Sequence, residues 1–560
     1  MPFGDAAPEI AYVRSRDQDA PGPVRHPVVV VGAGPVGLTC ALDLARQGVS
    51  VVVLDDDDTL STGSRAICFA KRTLEIWDRL GCGDRMVDKG VSWNVGKVFF
   101  QDELVYRFDL LEDAGHRRPA FINLQQYYVE GFLLEAAQAA PNIELRWKNK
   151  VVGLDRRDDR VALRIETPDG PYALEAEWLV ACDGSRSPLR GLLGQKSAGH
   201  TFRDRFLIAD VKMSPATSAR FAAERWFWFD PPFHRGQSVL LHRQPDDVWR
   251  IDFQLGWDAD PVAEREPERV ATRVRALLGE DAEFEFVWMS VYTFSCLRMD
   301  RFRHGRVLFA GDSAHGVSPF GARGANSGVQ DADNLAWKLG LVLTGRAPER
   351  LLDSYDDERV VAADENILNS TRSTDFITPK SPISKTFRDA VLRLAQDHPF
   401  ARRLVNSGRL SVPTVLSRSS LNTPDIDPFD GSMGPGVPCA DAPVVVDGRP
   451  TWFLDLLQGV FTLVHFVDER DTLDAMQAWS RRRGDVPMNV VTVAPRSGPV
   501  EPAMVVDAQG LLASRCDARP GTTYLIRPDQ HVCARWRAFD PALADRAIAR
   551  ATCNDQGASA

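Results

Sequence analysis

Hydrophobic residues first fall into a pattern at Val28, where Pro27 leads into a run of valines through Val31; the preceding residues are rich in Pro, Ala, Asp and Arg and have no period. A short apolar run followed by glycines reads as a buried strand, so an ordered fold is expected from about residue 26, with a flexible N-terminus over 1–25. Strand, glycine turn, helix and strand then follow, with helical stretches at 70–80 and 127–140 and a strand at 178–181, which predicts an α/β unit with a parallel sheet. From about Phe202 to Phe294 the runs become aromatic and strand-like, at 225–229, 238–242, 248–255 and 287–294, broken by Pro, Asp and Gly. They predict an inserted β-sheet layer. The α/β pattern resumes with a strand at 307–310, a helix over 326–343 and helical stretches at 351–369 and 384–407.

Residues 411–443 are rich in Pro, Gly, Ser and Asp and read as a linker. Beyond it the pattern predicts strands at 461–466, 488–493 and 523–526 and helices at 473–481 and 541–551. The expected organisation is one discontinuous α/β unit (26–200 and 296–410), a β layer (201–295), a linker (411–443) and a C-terminal unit (444–560). No internal repeat is visible.

Composition narrows the function classes. A chain of 560 residues with 44% hydrophobic and 26% charged residues is globular and too long for one core. The net charge of −10 opposes a nucleic-acid or anionic-membrane binder and favours small-molecule partners. Nine cysteines without a CxxC pair read as thiols of a reducing compartment. Neither a basic leader nor an apolar run near the ~18 residues of a membrane span is present. A cytoplasmic protein with no membrane span is expected.

The first chemical motif is VVVVGAGPVGLTCALDLARQGVSVVVLD, in which Gly32, Gly34 and Gly37, with Pro35 and Val36 between them, join a strand to a helix, and Asp55 ends the next strand. Gly32 permits the tight turn, Gly34 lets a pyrophosphate approach the backbone, and Gly37 permits close helix packing. The helix start offers amide donors, and Asp55 can accept ribose hydroxyls. The motif binds a dinucleotide without choosing between FAD and NAD.

Two further segments make that choice: CDGSRSPLR from Cys182, and RVLFAGDSAHGVSPFGARGANSGVQDADNLAWKL from Arg306. With them the chain resembles, over roughly residues 26–420, the para-hydroxybenzoate hydroxylase-like single-component FAD monooxygenases, especially the longer hydroxyphenylpropionate and phenol hydroxylases. The resemblance implies a Rossmann-like FAD-binding domain interleaved with a β-sheet substrate domain. It assigns Asp183 to FAD and the incoming nicotinamide, and Asp312, after Gly311, to the FAD ribityl hydroxyls. It also places Arg65 near the FAD diphosphate and Gln126 near the flavin. Pro319 and the small-residue turn to Gly324 would let amides approach the flavin, while the helix from Ala325 and Asn326 points its positive end at the pyrimidine edge. No second strand–GxGxxG–helix unit is visible, so NADPH or NADH is expected to bind transiently.

The family implies non-covalent FAD, O2 as cosubstrate and hydroxylation of a phenolic or other electron-rich aromatic, such as a hydroxyphenylpropionate or hydroxybenzoate, through a C4a-hydroperoxyflavin. It implies a homodimer as well. Catalytic side chains are not specified by any motif. The β layer should wall the substrate, with Trp226, Trp228, Trp249, Phe253, Tyr292 and Phe294 in its strands and Arg225, His242 and Arg250 as candidate polar partners. HExxH, GxSxG and GxxxxGK[ST] are missing, so no metal is expected and hydrolase readings have no support. The C-terminal unit resembles a thioredoxin-like tail without the CxxC of disulfide exchange, which reads as a packing or oligomerisation module. An FAD-dependent reductase of the same fold, not activating oxygen, stays open at this stage, as does an idle flavin-binding scaffold.

Overall fold

The computed structural model describes residues 9–63, 65–111, 113–405, 411–484, 486–494 and 502–555. Its first sheet runs, in spatial order, Arg303–His304, Val307–Phe309, Tyr172–Ala181, Val24–Val31, Val51–Leu54 and Ile143–Arg146. From Val307–Phe309 to Ile143–Arg146 adjacent strands in this order are parallel, while Val161–Glu166, carrying Lys150–Arg156, joins Tyr172–Ala181 antiparallel. Val28–Val31 and Val51–Leu54 are buried at every position, in one core with the helix Pro35–Arg46 and the antiparallel strands Lys150–Arg156 and Val161–Glu166. Helix Pro35–Arg46 packs against the long helix Gly324–Leu343, and Gly328 makes this possible: a Cβ there would lie 2.7 Å from Val36 Cγ2.

The N-terminal lead-in, expected to be flexible, is tied down over its described part. Asp17 lies in a short helix, 2.7 Å from His26 Nε2 and 2.8 Å from Arg146 Nη1.

A second eight-stranded sheet forms the β layer, in the order His315–Gly316, Phe284–Met299, Ser197–Met213, Val248–Leu255, Ser238–Arg243, Arg225–Phe229, Val95–Phe100 and Glu103–Asp109. The last two strands come from inside the first α/β segment, and Val95–Phe100 pairs in parallel with Arg225–Phe229. The layer is therefore larger than the 201–295 insertion expected. The single helical stretch expected over 384–407 is two helices, Pro382–Asp397 and Pro399–Val405, because Pro399 lacks the amide that would continue the first. Residues 406–407 of that stretch lie outside the described residues.

The C-terminal sheet has seven strands. Phe461–Phe466 and Met488–Val493 are parallel and joined by helix Arg470–Arg482, while Thr523–Ile526 pairs antiparallel to Phe461–Phe466. The turn after Thr523–Ile526 drives charged residues into the α/β unit. Arg527 Nη1 donates to Glu358 Oε1 at 2.6 Å, and Lys338 Nζ donates to Glu358 Oε2 at 2.7 Å. Asn334 Nδ2 bridges Glu358 and Asp529, and Arg72 donates to Gln530 and to the Asp529 carbonyl. Burial opposes its charge, yet Arg527 and Lys338 hold the Glu358 carboxyl far below the usual range.

Removing one partner from such a network strands a buried charge. Arg527→Met is expected to cost about 3–5 kcal/mol in chemical unfolding. A loss below about 1 kcal/mol would show that the network does not hold the C-terminal unit to the helix Gly324–Leu343.

Candidate active site

The first glycine turn is built for a close backbone approach. Gly32 has φ +106°, and a Cβ there would stand 2.4 Å from the Cys182 carbonyl oxygen; a Cβ on Gly37 would stand 1.9 Å from the Gly32 carbonyl oxygen. The helix beginning at Pro35 has no side-chain cap, which leaves its first amides to a ligand. Asp55 accepts the Ala33 amide at 2.5 Å and the Asp57 amide at 2.9 Å, so it fixes the turn and keeps one acceptor site on each oxygen. Burial raises its pKa, against those two amides.

Asp312 sits where the strand Val307–Phe309 delivers it, at the mouth of the helix Gly324–Leu343. Its carboxylate has no hydrogen-bond partner among the described residues, and a Cβ on Gly324 would lie 4.0 Å from Oδ1. Solvent reaches it although protein encloses it, the geometry of a group at the base of a cleft. Burial raises its pKa, with Asp331 adding and His315 and Arg65 opposing. The helix N-terminus beside it also lacks a side-chain cap. An unpartnered carboxylate and a row of free amides around a narrow glycine turn fit the polyol chain and the electron-rich ring edge of FAD.

Other expected site residues turn out to shape the cleft. Gln126 accepts the Ala66 amide at 3.1 Å and donates to Glu130 Oε1 at 2.8 Å, while Glu130 Oε2 accepts the Ser61 amide at 2.7 Å. Together they brace the loop carrying Arg65, an exposed side chain whose charge acts on Asp312 and Tyr292. Asp183 accepts Ser187 Oγ at 2.6 Å and the Leu189 amide at 2.9 Å, so its carboxylate closes its own turn.

Asn326 is saturated. Its oxygen accepts from the Ala70 amide and Thr73, and its nitrogen donates to the Cys68 and Ala322 carbonyls. Only its main chain, with that of Gly324 and Ala325, is left for a ligand. Pro319 is exposed at the turn leading into this helix and its carbonyl accepts the Ala322 amide. Sequence reasoning missed Asp331. This buried carboxylate accepts the Gly311 amide at 3.0 Å, His315 Nε2 at 2.6 Å and Arg359 Nε at 2.6 Å, and so holds the turn that presents Asp312.

The second sheet supplies the opposite wall. Phe320, from the turn before the helix, packs on Phe206 and Phe294 at 4.7 and 5.4 Å between centroids, so their face of the sheet looks onto the cleft. Tyr292 shares that face, is 43% exposed, and has its pKa pushed up to about 12 by burial with Asp312 adding. Strand alternation sends Trp228, Trp249 and Phe253 to the far side, into a core with Val270 and Val274, and Trp226 packs there too. These four do not line the cleft.

Arg225, His242, Arg250, Asp210 and Asp252 lie on the near face. Arg250 is held by Asp210, with Nε to Oδ1 at 2.9 Å. His242 Nε2 lies 3.2 Å from Asp252 Oδ2 but off hydrogen-bond alignment, and neither ring nitrogen makes a hydrogen bond among the described residues. Burial, with Arg225 adding, lowers the His242 pKa from 6.5 to about 4.

Between those two pH values the unfolded chain takes up a proton at His242 that the folded chain refuses. Stability should therefore fall as pH drops from 6.5 to about 4, by about 3 kcal/mol from this residue. Urea unfolding at pH 7 and pH 4.5 should show a smaller acid loss for His242→Phe than for the unmodified protein. Equal losses would refute the assignment.

Among the described residues no helix is long and apolar enough to cross a membrane, and no three His, Cys, Asp or Glu side chains are placed to hold a metal ion.

Comparison with known proteins agrees with this geometry. The chain is 30% identical over 387 residues to the 3-(3-hydroxy-phenyl)propionate/3-hydroxycinnamic acid hydroxylase of Mycolicibacterium smegmatis, covering 69% of this chain and 67% of the relative. It is 33% identical over 353 residues to a flavin-dependent monooxygenase of Mycobacteroides abscessus, covering 60% and 71%. The flavin-dependent monooxygenase PieE, solved with FAD and substrate, superposes with TM-score 0.80 at 24% identity, over 95% of this chain and 100% of that one. The p-nitrophenol 4-monooxygenase PnpA of Pseudomonas putida DLL-E4 superposes with TM-score 0.61 at 28% identity, over 69% and 98%. The family described as FAD binding domain matches residues 25–370, and the chain belongs to it.

Proposed function

We propose that this protein is an FAD-dependent monooxygenase that hydroxylates a phenolic or similar electron-rich aromatic compound at the expense of NADH or NADPH and O2. The observation that carries this reading is the unpartnered Asp312 carboxylate beside an uncapped helix start, facing an aromatic sheet wall across the cleft. The names of the relatives favour oxygenation over the reductase and scaffold readings.

The redox chemistry, reduction by the nicotinamide and activation of O2, is supplied by FAD when bound. The protein's part is binding, orientation and exclusion of water. The turn Gly32–Gly37 and Asp55 would hold the ADP half, Asp312 the ribityl hydroxyls, and the amides of Gly324, Ala325 and Asn326 the pyrimidine edge, where they stabilise negative charge. Tyr292 would flank the substrate ring, backed by the buried Phe206 and Phe294.

The C-terminal unit supports a thioredoxin-like reading through its parallel pair, crossover helix and following antiparallel strands. Of its cysteines Cys516 and Cys533 are buried and Cys553 is half-buried, and none belongs to a CxxC pair, which suits a packing module rather than disulfide exchange. The division into an FAD-binding unit, a β layer and a tail, a cytoplasmic location and a homodimer belong to the same proposal.

The test is O2 uptake with NADH and NADPH across a panel of phenols, hydroxybenzoates and hydroxyphenylpropionates, with products identified by mass. One compound should both accelerate nicotinamide oxidation and gain one oxygen atom. Reduction of the flavin with electrons passing to a non-oxygen acceptor would replace this reading with the reductase one.

A further inference from the structure

The near face of the second sheet carries a polar row whose members are unequally satisfied. Cross-strand register places Trp288, Asp210, Arg250 and His242 side by side, with Asp252 one pleat along. Arg250 and Asp210 neutralise each other. The remaining groups do not. Arg225, 4% exposed, donates from Nη1 to the weak acceptor Cys68 Sγ at 3.3 Å, and its Nε has no partner. Among the described residues Asp252 Oδ1 has no hydrogen-bond partner, and neither ring nitrogen of His242, 1% exposed, makes an aligned hydrogen bond, although Nε2 stands 3.2 Å from Asp252 Oδ2. Buried donors and acceptors left open together are costly, at about 1–3 kcal/mol each, unless a ligand completes them.

The patch belongs to the cleft. Cys68, which Arg225 touches, gives its carbonyl to Asn326 in the first turn of the helix Gly324–Leu343. The loop carrying Arg65 lies over the same face, since a Cβ on Gly63 would meet the Trp288 ring at 2.5 Å. The surroundings are aromatic: the Arg225 guanidinium stands over Phe227 and Trp93 at 5.3 and 5.7 Å, and Arg250 over Trp288 at 5.7 Å.

The charges select among ligands. With Arg250 and Asp210 paired and His242 neutral, Arg225 and Asp252 leave no net charge, so a carboxylate brought to Arg225 would also meet the Asp252 charge. A ring without polar groups would leave every open partner unmade. A hydroxyl both donates and accepts, and so can serve the open acceptor of Asp252 and the open donor of Arg225, whose charge acts on that carboxylate.

We propose that Arg225, Asp252 and His242 form a recognition site for an aromatic hydroxyl, which donates its hydrogen to Asp252 and accepts from Arg225, with His242 closing the site behind them. The assignment rests on reading the cleft as a hydroxylase active site and names the substrate class: a neutral phenol, held by its hydroxyl at this wall. A donor aimed at a carboxylate gains phenolate character, which enriches the ring for attack. Arg225 and Asp252 are thus specificity-determining residues, and Arg250 is a structural partner of Asp210.

The test uses the FAD-loaded protein and ligand binding, read from perturbation of the flavin spectrum. Matched ligands are a phenol, its methyl ether, and the analogue with carboxylate in place of hydroxyl. The phenol should bind at least about 30-fold more tightly than either, and Asp252→Asn and Arg225→Met should shrink that ratio below about 3-fold. A ratio near one in the unmodified protein, or a ratio that survives both substitutions, overturns the proposal. Should the variants not fold, 4-nitrophenol bound to the unmodified protein provides a second readout. Its absorption band should move to the red of the free neutral form, and an unshifted band overturns the proposal. Binding selectivity without oxygen transfer would sink the hydroxylase reading and leave the hydroxyl site standing, whereas oxygen transfer without selectivity would do the reverse.

Discussion

Replacing Gly37 by alanine will give a protein that does not retain FAD. The added methyl would stand 1.9 Å from the Gly32 carbonyl oxygen and 3.1 Å from its carbon, both main-chain atoms of the turn itself. No rotamer change relieves a backbone contact, so the helix Pro35–Arg46 must withdraw from the sheet. Overpacking of this kind costs about 1–3 kcal/mol even where side chains can yield. Placed on the turn that receives the pyrophosphate, it should weaken FAD binding by at least about 100-fold. Flavin titration followed by fluorescence quenching checks this, with circular dichroism to confirm that the chain still folds. Gly34→Ala is the internal comparison, because a Cβ there meets nothing within 4 Å. Its effect on folding should be small, and any loss of FAD it causes reports the approach of the ligand alone. Normal FAD binding by Gly37→Ala would contradict the assignment of this turn.

Asp312→Asn tests the other end of the cofactor site. Among the described residues the carboxylate makes no hydrogen bond, so the substitution breaks no internal contact there and removes what a ligand would use. A hydrogen bond to a charged group is worth about 1.5–3 kcal/mol, which corresponds to roughly 10- to 150-fold weaker FAD binding. The pH dependence has a defined sign. Burial raises the Asp312 pKa, so acidification neutralises this carboxylate before it would an ordinary aspartate. FAD affinity should decline as pH falls through that raised value, and the decline should be missing in Asp312→Asn. An unchanged affinity, or an identical pH profile, would remove Asp312 from the cofactor site.

The features legible in the sequence are those set by the backbone. Gly32 and Gly37 declare themselves because no other residue suits the turn, and the valine runs because a parallel sheet is apolar on both faces. Asp312 was assigned only through the resemblance of its segment to the flavin monooxygenases. What escaped depends on partners distant in the chain. Asn326 reads as a ligand-facing residue, yet Cys68, Ala70 and Thr73 consume its side chain. Arg225 and Arg250 look alike in strand-like runs, and only the position of Asp210 across the sheet separates the paired one from the open one.

The same reason hid the strands Val95–Phe100 and Glu103–Asp109, whose alternation is local but whose sheet is chosen by pairing with residue 225 onward. Likewise Arg527, Asp529 and Gln530 follow a strand and resemble an exposed charged turn. Their burial depends on Glu358, Asn334 and Arg72 waiting on the far side of the joint. The Pro399 break was visible in the sequence, and the expectation of one helix over it overlooked the missing amide.

The most direct measurement is isotope incorporation with purified, FAD-loaded protein, NADH or NADPH, and the phenol that best stimulates nicotinamide oxidation, under 18O2. The account predicts a hydroxylated product carrying one 18O atom per molecule, with one nicotinamide oxidised for each product formed. Nicotinamide oxidation that yields only hydrogen peroxide or reduces another acceptor, with no label entering any aromatic compound of the panel, would contradict it.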